Sequence, residues 1–325
     1  MIIPQYWAEG RAQHRQKGRQ ITVRRFGWSE ISQSEAQANA DVRALEALQR
    51  LLSGETLARR EPKTPYNGAI GVPIREEIVS CHGDTIITRN SYGARCLNTP
   101  NVFFADIDFR LQPTFTFTFS AFIVLLLLAS AIAWLAGSLT LGIILVALVL
   151  LFTKIAADTV YRTVKRAKGG AELAAKTRVR EFLARHPEWN LRVYRTPAGL
   201  RLMATHRTFS PNEPEVIECF DALGADPVYA AMCLNQHCFR ARVSPKPWRI
   251  GINSHLKPRP GVWPVAPERI RSRNDWIAKY EAAAQSFAAC SLQETLGSGI
   301  MHHDVRPVQQ LHDEQCGAVS QRPIA

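Results

Sequence analysis

The sequence predicts an α+β protein, a mixed or antiparallel sheet with flanking helices, interrupted by a two-helix transmembrane hairpin. Three observations carry this expectation. The stretch from Phe115 to Thr153 contains no charged residue. On both sides of it, short runs such as TIITRN and LRLMAT alternate with period two, which marks strands. Between those runs lie segments with the apolar stripe and the start and stop signals of helices.

The apolar block is too long for one span and suits two, because a bilayer core needs about 20 apolar residues per helix. Gly137, Ser138 and Thr140 divide it into helices at about 115–136 and 139–155, with Trp134 near one interface. A link this short makes the pair antiparallel, so both ends lie on one side. Lys154, Arg162, Lys165, Arg166 and Lys168 follow the second span, Arg110 precedes the first, and the tip has no basic residue. This distribution predicts an inner-membrane protein of two spans with both termini cytoplasmic. The alternative is a buried helical hairpin in a large soluble protein, but core helices rarely stay free of charge over two whole spans.

The remaining composition suits a cytoplasmic body hung on that hairpin. Outside the apolar block, a chain of 325 residues leaves enough for one sizeable domain or two small ones. Its seven cysteines are odd in number and scattered, unlike a disulfide framework. No apolar h-region follows Met1, so no cleaved signal peptide is expected. A net charge of +12 favours contact with anionic lipid or nucleic acid without choosing between them.

In chain order, residues 1–30 read as a basic N-terminal arm, with Arg11, Arg15, Lys17, Arg19, Arg24 and Arg25 and no acid between Gly10 and Arg25. The arm either holds anionic lipid or a phosphate backbone, or is a solvated, partly disordered segment. Residues 31–112 form the first α+β part. There Ser32 and Glu35 form a capping box, and Val42, Leu45, Leu48, Leu51 and Leu52 supply an apolar stripe before Gly54. A loop at EPKTPYNG leads to a β-hairpin, EEIVSC and TIITRN about HGD, then to the short strand ARCLN. After the hairpin region at 113–157, residues 158–292 form the second α+β part. The second span continues as the amphipathic KIAADTVYRTVKRAK, which Gly169 and Gly170 end. Ala175, Val179, Phe182 and Leu183 then line one helix face; LRVYR and LRLMAT pair about TPAG. Helices follow at about Glu215–Leu223, from Asp226 onward, and from Pro267 to Cys290, where Trp276, Tyr280, Ala284 and Phe287 fall at helical spacing. Residues 293–325 read as a disordered polar tail, with His302 and His303 as weak metal candidates.

The best candidate site lies in NVFFADIDF. On this strand Phe103, Ala105, Ile107 and Phe109 face one way, and Phe104, Asp106 and Asp108 the other. Two carboxylates at the end of an apolar strand are costly to bury unless paired or bound to a cation. Asp106 and Asp108 are therefore candidate Mg²⁺ ligands, set against a solvated or salt-bridged strand end. Cys219, Cys233, His237 and Cys238 contain no CxxC pair, and these cysteines read as small buried hydrophobes.

An apolar strand ending in DxD, then a helix, a strand, a turn of the form RTPxG and another strand resembles the catalytic core of the archaeo-eukaryotic primase and primase-polymerase superfamily. FFADIDF at 103–109 and VYRTPAGLRL at 193–202 carry the resemblance. It implies an RRM-like sheet and a two-metal nucleotidyl-transfer site, with Asp106 and Asp108 on the family's metal-binding acids. Where the family has His after the glycine turn, this chain has Arg201, and where a third acid is expected it offers Arg240, Arg242, Lys246 and Arg249. Arg cannot shuttle a proton or bind a metal as His can. Arg201 either neutralises the acids across the sheet or clamps a phosphate.

Three functional readings follow. The first is a membrane protein whose cytoplasmic domain binds or scaffolds, near the bilayer, a lipid headgroup, a membrane-bound nucleotide signal or another membrane protein. The second is a Mg²⁺-dependent nucleotidyl or phosphoryl transferase in which Asp106, Asp108 and Arg201 are catalytic and Arg240, Arg242 and Arg249 hold phosphates. The third is nucleic-acid binding at the membrane through the basic arm and the RARVSPKPWR strand.

Overall fold

The computed structural model describes residues 3–16, 18–62, 72–109, 113–167 and 169–325. Lys17, Arg110, Lys168 and most of the EPKTPYNG loop lie outside the described residues. The chain divides into two compact units. One comprises Met1–Ile107 with Phe182–Ala325, and the other Asp108–Glu181. The class is mixed α+β with antiparallel pairing, and eight α-helices lie among the described residues.

The first unit opens with β1 (Tyr6–Gln16) and β2 (Arg19–Ser29), antiparallel along their whole length. The basic segment read as an arm is thus an ordered β-hairpin. Its cations alternate with inward residues, Trp7, Ala8, Val23 and Phe26 among the buried ones, and that alternation is masked by the number of charges. Helix α1 (Gln33–Leu52) begins where expected, with Ser32 Oγ accepting from the Glu35 amide at 3.2 Å. Its packing face differs from the leucine stripe, however. Ala36, Ala40, Ala44, Ala47 and Leu48 are buried, while Val42, Leu45 and Leu52 are exposed. The cause is close approach: a Cβ on Gly10 or Gly27 would stand 2.2 Å from backbone atoms of Ala40. Only alanine fits a helix held this close to a strand backbone.

Two four-stranded sheets follow. One has the order β3 (Glu77–His82), β4 (Thr85–Arg89), β5 (Arg95–Thr99), β9 (Phe239–Arg242), antiparallel throughout. The other has the order β10 (Ser291–Gly297), β7 (Asn190–Arg195), β8 (Gly199–Ala204), β6 (Phe104–Asp108). The period-two readings of the sequence match these strands. Phe103, buried, is the centre of an aromatic cluster, with ring centroids of Trp189, Phe209, Phe220 and Phe239 at 5.7, 5.6, 5.3 and 5.5 Å. Helices α5 (Pro214–Leu223), α6 (Pro227–Gln236) and α7 (Pro267–Ala284) complete this part. Helix α7 buries Trp276, Tyr280 and Ala284 and stops six residues before Cys290.

The C-terminal stretch corrects the sequence reading most. Residues expected as a disordered tail form β10 and helix α8 (Val305–Cys316), and even Ala325 is buried, its amide donating to the Ala288 carbonyl at 3.0 Å. The buried face of α8 mixes Val305, Val308 and Cys316 with His312 and Asp313, so its apolar stripe is short and lies in a segment that is polar on average.

In the second unit, α2 (Phe115–Leu135) and α3 (Leu139–Ala167) are long and apolar enough to cross a membrane, with mean hydropathy 2.3 and 2.5 over their most apolar windows. Gly137, at φ 60°, makes the turn between them. The Phe117 and Tyr161 rings meet at 5.5 Å, and Gly142 brings the backbone near the Ala133 methyl. Hydroxyls of Thr118, Thr153, Thr159 and Thr163 each donate to a carbonyl one turn back, as a polar group on an apolar helix requires. Helix α3 spans 29 residues, so at 1.5 Å per residue its length of about 43 Å exceeds a bilayer core. Helix α4 (Gly170–Arg185), whose last turn from Phe182 is counted with the first unit, buries Ala175, Val179 and Phe182, the face its spacing indicates.

Candidate functional site

The polar face of the sheet containing β6, β7 and β8 carries the candidate site. Strand register places Tyr194 opposite Arg201 and Arg192 opposite Met203, so Arg192, Tyr194 and Arg201 share one face. On β6, Phe104 and Asp106 point the same way. Helix α8 covers this face: the His312 ring lies 5.2 Å from Phe104 and 4.7 Å from Tyr194.

Arg201 is the pivot. Its Nε donates to Asp106 Oδ1 at 2.7 Å and one terminal nitrogen to Oδ2 at 3.0 Å, a bidentate pair. The other terminal nitrogen donates to the Arg242 carbonyl at 2.8 Å. The Arg201 side chain is 3% exposed and that of Asp106 30%. Burial works against the guanidinium's charge, but the Asp106 charge and hydrogen bonds raise its pKa well above the ordinary value. The backbone of Asp106 is also fixed, its carbonyl accepting from the Asp226 amide at 2.8 Å.

The other residues singled out from the sequence do not gather here. Asp108 is exposed at the end of β6 and opens the second unit. Arg240 reaches both oxygens of Glu76 at 2.8 and 2.6 Å, with both side chains 7% exposed, and Glu76 also accepts from Thr88 Oγ1 at 2.7 Å. That buried network belongs to the other four-stranded sheet. Arg242 supplies its carbonyl to Arg201, and Arg249 sits half-buried in a short 3₁₀ turn, Pro247–Arg249. Of the predicted set, then, Asp106, Arg201 and the Arg242 backbone come together.

A group that the sequence reading passed over lies against the same face. Cys290, just before β10, and His312 and Cys316 on α8 are 0%, 0% and 1% exposed in turn, with their ligand atoms all within 4.8 Å of one another. His312 Nδ1 stands 3.1 Å from Asp313 Oδ1 and its Nε2 3.5 Å from Cys316 Sγ. Asp313 accepts from Tyr194 Oη at 2.7 Å, Arg192 at 2.5 Å and Gln309 at 2.6 Å. A hydrogen bond from Cys316, joined by one from His312, holds the Cys290 thiol well below its ordinary pKa although burial opposes this. The available signal was the i, i+4 pair His312 and Cys316, which any helix places on one face.

Elsewhere the cysteines behave as expected. Burial pushes the thiols of Cys219 and Cys233 up, and that of Cys238 to about 11. His237 closes α6 in the left-handed conformation at φ 49°. His302, His303 and Asp304 form a more exposed group just before α8.

A second feature is an open cleft of 1210 Å³ in the first unit, lined by Arg11, Arg24, Arg60, Arg75, Arg259 and Arg269. Glu9, Glu61 and Glu268 offset part of that charge. Arg75 is buried with its guanidinium 3.8 Å above the Phe26 ring, and burial lowers its pKa. Two of these arginines come from the basic β-hairpin.

Compared with protein-family models, curated proteins and solved structures, the chain matches none.

Proposed function

We propose that this chain is an integral inner-membrane protein of two spans, with both termini cytoplasmic, whose α+β unit binds a phosphate-bearing anion at the membrane. The observation that carries the reading is the exposure of α2 and α3: only 6% of each apolar window is buried, so two long apolar stretches, free of charge from Phe115 to Thr153, need an apolar solvent. The basic residues in the C-terminal half of α3, from Lys154 to Arg166, and their absence at the Gly137 turn support the orientation. The arginine-lined cleft supports an anionic ligand, because a guanidinium fork matches phosphate oxygens.

Alkaline carbonate extraction of membranes tests the first part, with the protein expected in the pellet. Reporter fusions at Gly137 and at a terminus are expected on opposite sides of the membrane. For the ligand, the exposed Arg259→Glu/Arg269→Glu variant is expected to lose binding to anionic vesicles, nucleotide or single-stranded nucleic acid, whichever the parent binds. If salt weakens the parent's binding steeply, phosphate-backbone contact is favoured.

The Mg²⁺ transferase reading is the weaker one. Asp106 is matched by the buried Arg201, whose charge repels a second cation at the same carboxylate. On this view the primase-like resemblance and its RRM-like sheet describe ancestry of the fold, with Arg201 standing where the family's His would act.

A further inference from the structure

We propose that Cys290, His312 and Cys316 bind one zinc-class divalent ion that staples α8 to the polar face of the sheet. Three independent features meet there. The first is geometric. Three donors from two separate segments lie within 4.8 Å of one another, with Cys316 Sγ and His312 Nε2 3.5 Å apart. Zinc bonds of about 2.3 Å to sulfur and 2.0 Å to nitrogen, at a tetrahedral angle, give an S···N edge of about 3.5 Å.

The second feature is the support behind the histidine. Asp313 Oδ1 faces His312 Nδ1 at 3.1 Å and is itself fixed by Tyr194, Arg192 and Gln309. A carboxylate accepting from one ring nitrogen sets the tautomer and turns the lone pair of the other nitrogen toward the sulfurs. Metal-binding histidines are held in this way.

The third is charge. Around the cluster, Arg201 is matched by Asp106 and Arg192 by Asp313. Two thiolates would therefore be the uncompensated charges of a fully buried site, and one divalent ion balances them. The borderline-soft donor set of two sulfurs and one imidazole selects zinc over magnesium or calcium. Three protein donors leave the fourth tetrahedral position to a further ligand. No other group of three or more such donors among the described residues is fully buried.

The test is metal analysis of the full chain purified in detergent without chelator. Close to one zinc per chain is expected, with retention in Cys219→Ser and loss in Cys290→Ser and His312→Ala. Because those variants remove buried groups and could fail to fold, the parent protein gives the deciding measurement. Stripped of metal and titrated with Co²⁺, it is expected to show thiolate-to-cobalt charge-transfer absorption that saturates at one equivalent and is displaced by Zn²⁺. A folded parent that takes up neither ion overturns the proposal. So does a Cys290–Cys316 disulfide found by mass spectrometry, or zinc retained in a folded Cys290→Ser chain.

Discussion

Replacing Asp106 with asparagine separates a structural ion pair from a metal-binding acid. In the structure the change removes the counter-charge of the Arg201 guanidinium, 3% exposed, and one arm of its bidentate pair, leaving it the Arg242 carbonyl and a single amide oxygen. Breaking a buried pair from one side costs about 3–5 kcal/mol, because the surviving charge stays desolvated. For a unit of this size each kcal/mol moves Tm by about 2–4 °C, so a fall on the order of 10 °C is expected. Thermal unfolding in detergent, followed by circular dichroism, reads it directly. Arg201→Met should cost a comparable amount, eased by water reaching the 30% exposed Asp106 side chain. The double variant should be less destabilised than the sum of the singles by about 2–3 kcal/mol. An Asp106→Asn protein as stable as the parent, with Mg²⁺ raising the parent's Tm and not the variant's, would refute the ion-pair reasoning and restore the transferase.

Three further outcomes follow from other parts of the molecule. Arg240→Met leaves Glu76 buried with Thr88 as its remaining donor among the described residues, and a loss of about 3 kcal/mol is expected in the same melting assay. Gly27→Ala drives a methyl into the Ala40 backbone, where no rotamer can yield, so α1 must shift from the hairpin; a cost of at least about 1–3 kcal/mol and faster amide exchange in β1 and β2 are expected. His206 titrates near 4 instead of 6.5, chiefly because burial against Trp189 disfavours the imidazolium, and its Nδ1 accepts from the Asn190 amide, which requires a neutral nitrogen. Its folded pKa is depressed, so the unfolded chain binds the extra proton between those values. The contribution is full above pH 6.5 and is lost as pH falls toward 4, amounting to about 1–2 kcal/mol after allowing for the partial exposure of the ring. His206→Gln should flatten that part of a Tm-against-pH profile, and an unchanged profile would discard the assignment.

Local patterning determined a good deal of this protein by itself. Period-two alternation sets the faces of β6, β7 and β8, and therefore puts Asp106 and Arg201 on inward, polar positions of their strands. The charge-free run sets α2 and the apolar part of α3, since a helix satisfies the backbone groups of so apolar a stretch within its own segment. Ser32 and the glycines at 169 and 170 place helix ends for reasons confined to a few neighbouring residues.

What tertiary structure alone decided concerns pairs of surfaces. The face of α1 is set by Gly10 and Gly27, which lie nine or more residues from the alanines they admit, so of the leucine stripe Leu48 and Leu51 pack inward while Val42, Leu45 and Leu52 are left exposed. The basic hairpin orders because its inward residues meet that helix, whereas its sequence is dominated by the outward cations. Helix α8 covers a polar patch of sheet, so its buried side is partly polar, and mean hydropathy reads such a helix as solvated. The same covering brings Cys290 to His312 and Cys316 across more than 20 residues of chain. No short-range pattern encodes that meeting, because it depends on where β10 and α8 pack and not on what either would do alone.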